Sequence, residues 1–140
     1  MQQRAIIPLV GFILAACVTA AHAHHSIAGA YDRNRRVTIE GVVKNVEFVN
    51  PHPFVVVAVT EDGRAHNWTL EMDNRWELVE AGFTNETLRP GDRVVVTGIQ
   101  ARLYRLGLYI YRLDRSADGF FYEQVGSRPA IGRASSSARK

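Results

Sequence analysis

The sequence holds one cysteine, Cys17, and two lysines against fifteen arginines. A single cysteine excludes an intramolecular disulfide, so a folded domain here rests on its hydrophobic core alone. Hydrophobic residues make up 46% of the 140, enough for one domain to build such a core. No Gly-x-Ser-x-Gly turn and no phosphate-binding Gly-rich loop occurs. Glu71 with Asp73, and Glu61 with Asp62, are better explained as turn and rim positions than as a catalytic carboxylate pair. These deficits tilt the reading away from an enzyme. The longest apolar run, residues 5–16, is interrupted by Pro8 and Gly11 and falls short of the ~20 residues that span a bilayer.

That run reads as the core of a secretory leader over residues 1–23, with Arg4 as its positive start. Two cuts compete. Ala21-His22-Ala23 is a small-x-small site that leaves His24 as the new terminus, in a periplasmic or secreted protein. Leu14-Ala15-Ala16-Cys17 reads as a lipobox, and cutting there gives a lipid anchor on Cys17 in the cell envelope. The formal charge of +3 is uneven. Residues 126–140 carry Arg128, Arg133, Arg139 and Lys140 with no acid, and read as a basic disordered tail. Without these four and Arg4, 12 basic residues face 14 acids. The folded body is therefore slightly acidic, which together with export argues against nucleic acid as a partner.

Residues 24–125 read as the domain. From Val37 to Phe48 the apolar residues alternate but change phase, and Gly41 marks the expected bulge or bend. Asn50-Pro51-His52-Pro53 makes a turn, and residues 54–59 a buried strand. Glu61-Asp62-Gly63 signals a hairpin into a strand with Trp68, Leu70 and Met72 on one face. A helix is expected over residues 74–81, opened by Asn74 with Glu77 as a capping box, with Trp76, Leu78 and Val79 apolar, and closed by Gly82. Valine-rich residues 93–99 and residues 108–113 complete five strands, and residues 120–125 suggest an edge piece. The expected fold is all-β with one short helix, a small five-stranded OB-like barrel. A half-open barrel of another type is the alternative.

Several motifs follow in order: His24-His25-Ser26, Tyr31-Asp32, Thr38-Ile39-Glu40-Gly41-Val42-Val43, Asn50-Pro51-His52, Asn67-Trp68-Thr69-Leu70-Glu71, and Leu88-Arg89-Pro90-Gly91-Asp92 before Val94-Val95-Val96-Thr97-Gly98. Together they resemble a bacterial exported family of unknown function. The resemblance runs from about His24 to Gly98. It implies an exported barrel and no established activity.

Two groups of residues carry candidate chemistry. If His24 leads the mature chain, its α-amine and imidazole chelate a metal, and a further ring nitrogen completes a three-nitrogen copper(II) site. His52, between two prolines, is the natural third donor, with His25 or His66 as substitutes. Zinc fits less well, without cysteine or tight His/acid spacing. The bland reading is a pair of solvated histidines at a terminus and a turn-capping His52. The second group is Arg102, Tyr104, Arg105, Tyr109, Tyr111 and Arg112, with Arg115 beyond them. In an OB-fold the loop between strands four and five lines the binding face, so this set suggests a surface for an envelope protein, a polymer or a small ligand. Half-buried strand tyrosines with rim arginines are the plainer reading. The leading expectation is a non-enzymatic exported binding module with a copper site, and the alternative is an accessory domain using the Arg/Tyr face.

Overall fold

The structure is a computed structural model that describes residues 27–126 and 128–134. One turn of helix, α1 (Ile27–Ala30), runs into β1 (Tyr31–Glu47), followed by β2 (Phe54–Glu61) and β3 (Arg64–Glu71). Helix α2 (Arg75–Glu80) separates these from β4 (Arg93–Ala101) and β5 (Gly107–Arg115). Two further strands, β6 (Phe120–Val125) and β7 (Arg128–Arg133), end the described chain. Among the described residues, no helix is long and apolar enough to cross a membrane.

The first five strands close a ring. β1 pairs antiparallel with β2 and β4, β2 with β3, and β4 with β5. β5 then returns to β3 in parallel, at Thr69–Glu71 against Gly107–Tyr109. The all-β expectation with a short helix is met, and the ring follows the order β1-β2-β3-β5-β4. The outward edge of β5 is divided: its first residues close the ring, and Arg112–Arg115 carry β6, which carries β7.

The core is made where period-two faces meet. Val55, Val57 and Val59 of β2 point inward while Val56 and Ala58 are only half-buried, so residues 54–59 alternate and are not uniformly buried. Trp68, Leu70 and Met72 share the inward face expected of them. The β2–β3 hairpin turns on Asp62 and Gly63, both at positive φ (51° and 74°), the combination a two-residue type I′ turn needs.

The phase change in β1 lies later than Gly41. Val43 pairs with Val57 and Asn45 with Val56, which leaves Lys44 as the extra residue. Val43 is accordingly fully buried, and Val42 is not. Gly41 serves a different end: a Cβ there would run into the Ala58 carbonyl oxygen, so its lack of a side chain lets β2 approach. A second irregularity leaves Arg33, Asn34 and Arg35 without partners in β4, between Asp32↔Gln100 and Arg36↔Ile99.

Helix α2 starts as expected. The Asn74 side chain accepts from Glu77 N at 2.9 Å, but the reciprocal bond of a capping box is replaced by Asn74 N donating to Asp73 Oδ1 at 2.7 Å. Only Leu78 is buried against the strands; Trp76 and Val79 face solvent. Six residues give room for one inward side chain, so the wider apolar side expected of it does not form. α1 is a second helix that sequence pattern did not suggest. The tail reading also needs correction, since Arg128–Arg133 form β7, paired along β6 from Val125↔Arg128 to Phe120↔Arg133. Pro129 and Gly132 mask the strand in the sequence, and Gly132 has no Cβ because the Phe121 ring lies over it. Residues 1–26 and 135–140, including Cys17, His24 and His25, lie outside the described residues.

Candidate functional site

At one end of the ring, four segments meet around a cleft of about 380 Å³. Its walls are largely apolar, with Ile27 of α1, Val49, Phe54 and Leu103 among them. Five polar residues line it, Tyr31, Asn50, His52, Glu71 and Tyr104, and four of them are joined by close contacts: Tyr31, His52, Glu71 and Tyr104. An apolar enclosure with a few convergent polar groups is the usual form of a small-ligand site.

Each polar group is fixed by the fold. Glu71 is the last residue of β3, where β5 closes the ring. The turn bearing His52 is pinned from both sides, as Met72 N donates to Pro53 O and Arg75 N to Pro51 O, each at 2.9 Å. Arg75 also donates from Nε to Phe48 O at 3.2 Å and lies over the Phe48 ring. Tyr104 sits in the β4–β5 loop with its ring packed over Gly107, where a Cβ would occupy the place of the ring. Tyr31 is buried beside Tyr109, ring centroids 5.7 Å apart.

The hydrogen bonds run toward Glu71. Tyr31 Oη donates to Glu71 Oε2 at 2.5 Å and lies 3.4 Å from Tyr104 Oη. Burial, reinforced by the carboxylate, pushes the Tyr31 hydroxyl far above its ordinary value, so it stays a donor throughout the physiological range. His52 Nδ1 is 3.2 Å from Met72 O and 3.7 Å from Glu71 Oε1. A carbonyl only accepts, so Nδ1 carries the proton. In neutral imidazole this leaves Nε2 with a free lone pair.

The other expected site residues do not gather here. His66 pairs with Val59, five residues up β3 from Glu71 or roughly 17 Å at strand rise, toward the far end of the ring. Among the described residues, no three His, Cys, Asp or Glu side chains cluster as metal ligands would. The Arg/Tyr set is scattered. Tyr109 is 1% exposed and belongs to a small core with Tyr31, Ile99 and Ala101, which overturns its placement on a ligand face. Tyr111 is half-buried under the Arg36 guanidinium. Arg112 is held by Asp114 and Glu123 and lies over Phe121, and Arg115 is held by Asp92 and Asp118. Only Arg102, Tyr104 and Arg105 are exposed, at the β4–β5 loop. A larger cleft of about 540 Å³ lies by Arg115 and Arg133, but both guanidinium groups there already face Asp118.

The model of a family of unknown function, DUF6152, matches residues 12–108. The chain belongs to the DUF6152 family. The DUF6152 match takes in α1, β1 to β4, α2 and the start of β5, and so every residue named in the cleft. β6 and β7 fall outside it. No curated protein matches the chain.

Tyr31 and Glu71 were not legible as a pair. They are forty residues apart, and only the closure of β5 on β3, beside the start of β1, brings them together.

Proposed function

We propose that this DUF6152 protein is an exported, non-enzymatic binding module whose ligand seat is the cleft at His52 and Glu71, and that its ligand is copper(II). The observation that carries this reading is the state of His52. Its Nδ1–H is tied to the Met72 carbonyl beside Glu71, the outer bond that orients a metal-binding imidazole and leaves Nε2 to the metal. Ile27 lines the same cleft, and His24 is three residues before it. Three residues span at most about 11 Å, which is the length of chain available between Ile27 and a donor at His24. With the chain cut before His24, its amine and ring nitrogen join His52 Nε2 in the nitrogen-rich set copper(II) prefers. Glu71 already accepts from Tyr31 and lies 3.7 Å from His52 Nδ1, so the Met72 carbonyl is the group that orients the ring.

Copper(II) titration of the mature protein, followed by calorimetry and electron paramagnetic resonance, tests this. Nitrogen coordination is expected, with affinity falling at acid pH because a protonated imidazole has no lone pair for the metal. One alanine inserted before His24 abolishes the chelate while keeping every side chain. Copper bound unchanged by that variant and by His52→Ala would overturn the reading, as would an intact mass showing acylated Cys17.

A further inference from the structure

The mouth of the cleft carries a feature that ligand binding does not require. Leu103 is 93% exposed at the tip of the β4–β5 loop, and Tyr104 beside it is 45% exposed. Val49, on the facing wall of the same cleft, is 47% exposed. An isolated surface leucine needs no explanation, but this one stands between Arg102 and Arg105, next to an interfacial type of aromatic. The irregular stretch of β1 adds Arg33 and Arg35, both exposed, one strand away from the end of β4. Of the acidic groups at this end, Asp32 is taken up by Arg102 at 3.7 Å, Glu71 lies inside the cleft, and Glu47, opposite Phe54, is exposed.

We infer that this end of the ring docks on an anionic membrane surface. Leu103 and the Tyr104 ring enter the headgroup–acyl boundary, while Arg33, Arg35 and Arg105 meet lipid phosphates. This is the arrangement of an interfacial anchor, an apolar tip with flanking cations whose attraction adds to apolar burial. The loop is built for such a load. Arg102 is tied down on its inner side, with N donating to Ala30 O at 2.9 Å and Nε to Ala28 O at 3.3 Å. Gln100 Nε2 holds the Arg105 carbonyl from within. Leu103 itself therefore projects from a rigid base. Contact of this kind is reversible and independent of any acyl group on Cys17. It also sets the cleft mouth against the lipid, whatever the cleft binds.

The test is co-sedimentation of the processed Cys17→Ser protein with vesicles of phosphatidylcholine alone or mixed with phosphatidylglycerol. Removing the cysteine excludes an acyl anchor. Binding is expected only to the mixed vesicles, weakening about tenfold or more from low to high salt. Leu103→Asp is expected to lower it severalfold with an unchanged thermal midpoint, since that side chain supports nothing in the fold. Arg33→Glu combined with Arg105→Glu is expected to remove the salt-dependent part. Three results would overturn the inference: equal binding to both vesicle types, binding unaffected by Leu103→Asp, and full competition by free glycerol phosphate, which indicates a simple anion site. Loss of binding on removing residues 135–140, with Leu103→Asp silent, assigns the effect to the basic tail instead.

Discussion

Tyr31, the first residue of β1, donates a 2.5 Å hydrogen bond to Glu71, the last residue of β3, and so ties the two ends of a three-strand meander across the mouth of the ring. The bond also holds one carboxylate oxygen of Glu71 while the other faces His52. Tyr31→Phe is expected to destabilise the protein by roughly 1–3 kcal/mol, because a partly buried carboxylate loses its donor. Chemical denaturation measures this, and the shift of His52 ring resonances in the same variant reports whether the imidazole has lost its orientation.

Alkaline stability follows from three tyrosines. Burial, as the leading cause, raises the hydroxyls of Tyr31, Tyr109 and Tyr122 above their ordinary value of 10.0. Above that pH the unfolded chain releases protons that the folded chain retains, so stability is full below about pH 10 and falls as pH rises further. Each of the three contributes a slope of up to about 1.4 kcal/mol per pH unit. A denaturation series from pH 8 to about 11.5 is expected to show this loss, shallower in Tyr31→Phe.

The acid side has a different source. Hydrogen bonds from Arg115, with Arg133 nearby, hold the Asp118 carboxyl well below the usual carboxylate range. Its contribution is present above the ordinary value of 3.8 and is lost as pH falls through the lowered one. Asp118→Asn is expected to flatten the acid limb of the stability curve and leave the alkaline limb unchanged.

Packing gives a contrast between two glycines. Gly41→Ala would press a Cβ onto the Ala58 backbone and is expected to cost about 1–3 kcal/mol. Gly29→Ala, on α1 with nothing among the described residues within 4 Å of its Cβ, is expected to be neutral or slightly stabilising. Urea midpoints of the two variants separate close approach from chain flexibility as the reason for glycine.

In the core, Trp68→Ala is expected to cost roughly 3–5 kcal/mol. Among the described residues its buried indole N–H has no partner, so Trp68→Phe removes an unsatisfied donor and costs distinctly less than the alanine change. Thermal unfolding of the two variants checks the order.

What was legible in the sequence depended on local period and turn chemistry. The Asp62-Gly63 hairpin, the Asn74 cap and the Trp68-Leu70-Met72 face are all decided within a few residues, and all stand in the structure. The bulge was displaced to Lys44 because the valines at 42 and 43 are equally apolar, and only pairing with Val57 decides which points inward. Tyr109 looked like a ligand residue because its neighbours Arg105 and Arg112 are charged. Parallel pairing with Glu71 puts it in the wall of the ring instead. The cleft is assembled from residues 27 to 104, and sequence pattern marked only His52 and Tyr104 within it.

The divided edge of β5 has a further consequence for solubility. A closed ring offers no unpaired strand, but the half of β5 left free beyond Tyr109 would do so without β6. β6 itself reads Phe-Phe-Tyr-Glu-Gln-Val, a β-prone segment with a single charge. β7 covers it, and presents outward a short strand broken by Pro129 and bounded by Arg128 and Arg133. Stretches of this composition discourage neighbouring molecules from adding on. Residues that read as an idle tail therefore act as a guard strip, and a chain cut after Val125 should pass readily into fibrils or precipitate while its ring is still folded.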